Sequence, residues 1–256
     1  MPLRGRVAVV FAATGAVGSA VARELRARGA ELVVSARSEE PLMALGHELS
    51  ADTEVVDATD EGAVERHLAR VVSERGRLDV VFDAIGPRPD TLEYGLPSTR
   101  LSSDAFLRTF ALVCGSQLLV ARAAARHMVT ARTGCIVTLS ASLAAQCVPY
   151  MAGISAAYGA VEALTRSLAA ELGPYGVRVN AVRAGGMPGT RTLRETFAAL
   201  ARTTGAPAEP PPPQNPLRRA VVPEDVARVV AMLASDDAGA MTGQVVDVSA
   251  GAVVAR

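Results

Sequence analysis

The chain contains no lysine: all 26 residues of its lysine-plus-arginine total are arginine. No side chain can therefore supply a compact ammonium, and a guanidinium, planar and effectively always charged, does not replace one in a tight pocket. Cysteine is scarce. Cys114, Cys135 and Cys147 are odd in number and lack metal-ligand spacing, so buried thiols are expected rather than disulfides or a metal centre. Charge of either sign is not in excess, the formal net charge being +0, and the arginines are scattered among acids. That pattern argues against a nucleic-acid or membrane-surface partner. No uninterrupted apolar run approaches ~20 residues. The opening MPLRGRVAVVFAATG leads straight into a predicted strand with no cleavable signal pattern, so a cytoplasmic location is expected. Arginine without lysine, beside abundant alanine, is a composition that suggests a high-GC bacterial genome.

What is present is apolar and periodic. With 256 residues, 50% of them hydrophobic, the chain is long enough for one large α/β domain, 1–256, and short for two. Short apolar runs at 7–11, 32–35, 54–56, 80–82, 135–139, 178–182 and 245–248 read as strands buried on both faces. Amphipathic stretches at 18–28, 39–49, 61–74, 103–130, 154–172, 192–201 and 223–233 read as helices. The alternation predicts a doubly wound, seven-stranded parallel sheet with helices on both faces and right-handed crossovers. One segment is irregular, 206–215, with four consecutive prolines at 210–213 that favour extended polyproline geometry. It is either a stiff surface loop or a rigid lid.

The stretch GCIVTLSAS followed by GISAAYGAVEALTRSLAAELGPYGVRVNAV resembles the active-site half of the short-chain dehydrogenase/reductase family. The resemblance covers nearly the whole chain and implies a single Rossmann-type domain. Residues 1–100 would form the cofactor-binding half. Residues 101–256 would form the active-site and oligomerisation half, with a substrate lid at about 187–220.

At the cofactor end, Phe11-Ala12-Ala13-Thr14-Gly15-Ala16-Val17-Gly18 resembles the family's glycine-rich loop, with Ala12 in the place of the first glycine. Such a loop lets backbone approach a pyrophosphate at a helix N-terminus, and the methyl of Ala12 is tolerable if its φ is negative. The resemblance assigns Thr14, Gly15, Val17 and Gly18 to this turn. Past it stands Arg37, where an acid would indicate NAD(H); an arginine can pair with a 2′-phosphate, so NADP(H) is preferred over NAD(H). Asp57 and Ala58 resemble the adenine contact. Asp83-Ala84-Ile85-Gly86 replaces the family's Asn-Asn-Ala-Gly, leaving backbone contacts to a ribose and adding an acid near the sheet's switch point. Either Asp83 acts there or it only supports the loop. Gly185, with Gly186, keeps a flexible turn near the nicotinamide, and Arg183 before it either reaches an anion or lies on the surface.

At the catalytic end the register is set by Val161 to Leu168, which matches the family's helix downstream of its lysine. Counting back puts the lysine at Tyr158 and the tyrosine at Ile154; the serine falls at Ala141 and the asparagine at Val113. In the family the ammonium holds a phenol, ordinarily near ~10, close to working pH so that it exchanges a proton with substrate. That relay cannot operate in a chain without lysine. Candidate substitutes are Tyr158, whose hydroxyl points roughly where the ammonium would be, together with Ser142, Ser155 and Ser140 around the same spot. Tyr150 is a further candidate, because Pro149-Tyr150 resembles the tyrosine of the enoyl reductase branch but sits eight residues before position 158 instead of seven.

Three functions stay open. One is an NADP(H)-dependent oxidoreductase on a small molecule that uses a substitute proton donor, or a substrate such as an enoyl thioester or iminium that needs little proton assistance. The second is a non-redox cyclase, isomerase or dehydratase, and the third an inactive binding partner without need of a cofactor. The alanine-rich helices at 103–130 and 154–172 resemble those through which family members associate, which implies a homodimer or homotetramer. No metal is expected.

Overall fold

In the computed structural model, which describes residues 3–253, seven parallel strands form one sheet in the order β3-β2-β1-β4-β5-β6-β7. The strands are β1 Val7–Phe11, β2 Glu31–Ala36, β3 Asp52–Val55, β4 Val80–Asp83, β5 Gly134–Ala141, β6 Val177–Ala184 and β7 Val245–Val248. The helices are α1 Ala16–Ala27, α2 Glu39–Leu49, α3 Glu61–Arg75, α4 Ser103–Phe110, α5 Ser116–Ala131, α6 Ala152–Leu172, α7 Arg191–Thr204 and α8 Pro223–Ala234. Successive strands run outward from β1 on one side and from β4 on the other, so the order reverses between them. There Phe11 pairs with Asp83 at the carboxyl ends of the two strands. A crevice opens at such a switch point.

The central strands are apolar on both faces because helices cover both. Leu25, Val34, Leu42, Phe82, Val230 and Leu233 pack on one side under α1, α2 and α8. Phe11, Leu68, Val81, Val120, Met128 and Ile136 pack on the other under α3, α5 and α6. Each fully buried residue of this size stabilises the fold by roughly 1.5–3 kcal/mol. Buried Asp79 ties β4 to β1 by accepting the Val7 amide at 2.8 Å, while Arg77 chelates its carboxylate at 2.7 and 2.6 Å. Helix starts follow their polar caps: Asp60 accepts from the Ala63 amide at 3.0 Å and Ser102 from the Ala105 amide at 3.1 Å.

The single helix expected over 103–130 runs from Ser103 to Ala131, with one local widening. Between α4 and α5 the chain makes a wide π turn at Ala111–Gly115. The apolar pattern runs on through this turn, so periodicity does not reveal it. Together α4 and α5 form a stretch, Ser103–Ala131, long and apolar enough by composition to cross a membrane; here Val120, Ala121, Ala124 and Met128 pack against the sheet. The proline segment 206–215 has no regular structure and is almost wholly exposed. Cys114 and Cys135 are buried, whereas Cys147 is exposed, contrary to expectation; all three are free.

Candidate functional site

A cleft of about 890 Å³ lies over the carboxyl ends of the strands. Its outer end is built from the β1–α1 turn. The Ala13 amide is held by the Ser35 carbonyl at 3.0 Å and the Gly15 amide by Ala12 at 3.1 Å, which closes a tight turn. Ala12 adopts φ +52°, so the condition for an unstrained alanine is not met. A left-handed conformation costs a residue with a Cβ roughly 1–2 kcal/mol. Gly18 does not line the cleft, but any Cβ there would stand 2.5 Å from the Ala12 carbonyl oxygen. It lets α1 dock against the turn. The first turn of α1 carries no acid and no capping side chain, and Thr14, Gly15 and Val17 line the cleft beside it. Free amides and a positive helix end of this kind hold an anion.

Arg37 stands exposed on the rim, 3.9 Å from Asp57. Asp57 accepts the Thr59 amide at 2.9 Å and the Thr59 hydroxyl at 2.7 Å. Although burial opposes it, these bonds and the Arg37 charge hold Asp57 below the usual carboxylate range. Ala58, Ala84, Gly86 and Gly185 continue the wall. No bulk fills the space over Gly86, and a Cβ on Gly185 would meet Ser249 at 3.0 Å. A turn with free amides, an exposed arginine and small residues along one wall fit a nicotinamide dinucleotide and leave room for it.

The inner end is different in character. Ile154 and Tyr158, one helical turn apart on α6, both face the cleft, with Ala141, Ser140 and Ser142 opposite on the end of β5. Val113 is wholly buried on the π turn, behind Leu112, which does reach the wall. Tyr158 is 6% exposed and shares an apolar cluster with Tyr94, Met151 and Ile154. Asp83, 2% exposed and expected at the cofactor site, does not line the cleft; it is buried beneath the wall formed by Ala84, Ile85 and Gly86. Its Oδ1 accepts the Ile85 amide at 2.9 Å. Asp83 therefore supports the loop. Burial pushes Asp83 up to about 6, against hydrogen bonding from the Ile85 amide and the Ser116 hydroxyl. Burial, and after it the charge of Asp83, lifts Tyr158 above the ordinary phenol range. Burial and Tyr158 do the same to Tyr94, whose hydroxyl lacks a partner.

Several expected residues lie elsewhere. Tyr150 does not line the cleft; it is 38% exposed and sits at φ +65° in the turn before α6, its carbonyl taken by the Gly95 amide at 3.2 Å. Ser155 also faces away from the cleft wall, one position along the helix from Ile154. Arg183 is not free for an anion: only 16% exposed, it chelates the buried Glu162 with two bonds of 2.7 Å and stands 3.7 Å from Asp247. The same carboxylate accepts the Ser140 hydroxyl at 2.9 Å, so Ser140 is committed to that network and is no proton source. The proline run 206–215 contributes nothing to the wall, while Met187, Leu193, Phe197 and Leu200 do; the covering element is α7 and its approach, within the expected 187–220. Tyr94 went unnoticed in the sequence. It lies in the irregular stretch after β4, where no periodicity marks a residue as inward.

The inner wall, with Leu112, Leu143, Met187, Leu193, Phe197 and Leu200, suits an apolar body. Arg37, Arg88 and Arg191 line the cleft only at exposed positions. Among the described residues no group of His, Cys, Asp and Glu could hold a metal.

Residues 12–253 match the family described as Enoyl-(Acyl carrier protein) reductase. The chain is 33% identical over 252 residues to cis-4-hydroxycyclohexanecarboxylate dehydrogenase of Sinomonas cyclohexanicum, covering 96% of each. It is 27% identical over 252 residues to 3-oxoacyl-[acyl-carrier-protein] reductase of Rickettsia bellii, covering 97% of each. Among solved structures, NAD+-bound xylitol dehydrogenase superposes with a TM-score of 0.86 at 26% identity, covering 98% of this chain and 100% of that one.

Proposed function

Because this chain belongs to the short-chain dehydrogenase/reductase family, we propose that it is an oxidoreductase that binds NADP(H) and acts on a small organic substrate without the family's tyrosine/lysine relay. The observation that carries this reading is the contrast between the two ends of one cleft. Its outer end keeps a glycine-turned helix N-terminus with an arginine on the rim; its inner end holds no cation and no acidic phenol. Thr14, Gly15, Val17 and the α1 amides would hold the pyrophosphate, Arg37 the 2′-phosphate, Asp57 and Ala58 the adenine side, and Ala84, Gly86 and Gly185 the ribose and nicotinamide. When bound, the cofactor supplies hydride.

The chain's own residues then orient and exclude. Ile154, Leu112 and α7 close an apolar chamber that keeps water from the reacting carbon. Tyr158 offers a neutral hydroxyl for a hydrogen bond, but its acidity is too low to release a proton readily. The substrate must therefore need little proton assistance. Reduction of an ordinary ketone by the family route is the activity this site supports least. Exposed Leu107, Phe110 and Leu118 on α4 and α5 support association of copies through these helices.

Titration of the purified protein with NADPH and NADH, read by calorimetry, tests the proposal. NADPH should bind more tightly, and Arg37→Ala should weaken it by about 10–100-fold while leaving NADH unchanged. Failure of both cofactors to bind would overturn it. The simultaneous loss of all four relay positions favours one other reading, non-redox chemistry on the same scaffold, and that outcome would move the weight there.

A further inference from the structure

Among the described residues, the charged side chains that line the cleft are Arg37, Asp57, Arg88 and Arg191. Arg37 and Asp57 stand together at the outer end, 3.9 Å apart. The rest of the cleft is left with two guanidiniums and no carboxylate. Arg88 follows β4 and Arg191 opens α7 after β6, and in the sheet these two strands flank β5. The two arginines therefore come to the cleft from either side of Ala141, where β5 ends opposite Ile154 and Tyr158. Each is presented on a fixed backbone. Arg88 lies between Pro87 and Pro89, both buried, and adopts the extended conformation that a following proline favours, φ −110° and ψ 95°. Its carbonyl accepts the Thr91 amide at 3.1 Å and the Thr91 hydroxyl at 3.0 Å. Arg191 follows Thr190, whose hydroxyl donates to the Met187 carbonyl at 2.8 Å and accepts the Leu193 amide at 3.4 Å. Among the described residues Arg88 forms no ion pair, while Arg191 has a loose contact of 3.6 Å with Glu195, one turn along its own helix. An exposed pair of that spacing contributes little and yields to a better anion.

Resting on the cofactor reading above, we infer that the substrate is an anionic amphiphile. Its apolar body lies against Leu112, Leu143, Leu193 and Phe197, and its anionic oxygen group, carboxylate or phosphate, is held at the exposed edge of the cleft by Arg88 and Arg191. The planar fork of a guanidinium matches the paired oxygens of either group through charge-assisted hydrogen bonds. The inner wall supplies the rest of the selection. No charged side chain lines the cleft beside Ile154 and Tyr158, so an ion placed there loses its hydration without gaining a partner. An amphiphile avoids that cost only with its charge outward. One orientation results, with the anion at the arginines and the uncharged, reacting end toward Ile154 and Tyr158. A neutral or cationic compound of the same shape keeps the apolar contacts and lacks the pairing. Arg88 is then a specificity-determining residue, separate from Arg37 at the cofactor's outer end.

Paired probes of one chain length test this. With NADPH present, calorimetry on the full chain compares octanoate and octyl phosphate with the neutral octanamide. At least one of the anions should bind on the order of 10-fold more tightly than octanamide, and the tighter of the two identifies the group. Arg88→Gln and Arg191→Gln should each reduce that preference while NADPH affinity stays at the parent value. Arg194→Gln, which removes an exposed arginine of α7 that is off the cleft wall, should keep it. Equal binding of the anions and octanamide by the parent, or a preference that persists in Arg88→Gln, overturns the inference. So does an Arg191→Gln variant that loses NADPH and keeps the preference, or an equal loss of preference in Arg194→Gln, which would reduce the effect to general charge attraction. Failure of the parent to bind NADPH counts instead against the cofactor reading.

Discussion

Asp83→Asn should make the protein more stable at neutral pH relative to its own behaviour in acid, an unusual direction for a buried-site substitution. The folded-state carboxyl ionises at about 6 and the ordinary value is 3.8. Between these values the folded chain binds more protons than the unfolded one, so stability falls as pH rises through the window and the loss is complete above it. Below about pH 4 both states are protonated and the penalty is gone. The difference corresponds to about 3 kcal/mol, most of it falling between about pH 4 and about pH 6. Asparagine keeps the acceptor that holds the Ile85 amide and removes the charge. Its own amide donor has no mate unless Tyr158 accepts from it, which adds a constant cost of about 1–3 kcal/mol. That constant cancels when the pH dependence is compared. Urea unfolding of parent and variant at a series of pH values is the assay. The gap between the two free energies should shift in favour of the variant by about 2–3 kcal/mol from acid to neutral. Parallel curves would show that Asp83 is not buried as a charge.

Ala12→Gly should raise stability by about 0.5–1 kcal/mol, a melting temperature gain of roughly 1–4 °C, because relief at φ +52° outweighs the extra entropy of the unfolded glycine; an unchanged or lower melting temperature would mean the turn is not strained. Arg183→Met strands the Glu162 carboxylate in the interior and should cost about 3 kcal/mol in chemical denaturation, with partial recovery in the double variant carrying Glu162→Leu. If the single variant unfolds like the parent, the pair holds nothing. Tyr150→Phe should leave NADPH binding and turnover unaltered, since its side chain lies off the cleft wall; a drop in either would return it to the mechanism.

The order and kind of the elements could be read along the chain because each strand is apolar on both faces and each helix on one. Those periodicities are local properties, as are the lysine-free composition and the spacing that places Val113, Ala141, Ile154 and Tyr158 at the family's catalytic positions. The cofactor turn was equally legible, since a strand, a small-residue turn and a helix follow each other directly. Less was visible where neighbours are distant in sequence. The π turn at Val113 changes the helix by one residue's slack, too little to disturb an apolar pattern.

Arg183 and Glu162 are 21 positions apart, and only the docking of α6 on β6 turns two charges into a closed pair. The same holds for Ser140, which sequence alone offered as a donor and the fold commits to Glu162. Tyr150 and Ser155 stand next to Met151 and Ile154, which line the cleft, yet a rotation of one residue about a helix or turn is enough to aim a side chain away. By itself, then, the sequence determined that the family's ammonium and phenol are gone. Only the tertiary structure decided what surrounds the vacated positions, because burial is a property of the packed fold: it encloses Tyr158 with Tyr94, Met151 and Ile154, residues separated by up to 64 positions along the chain.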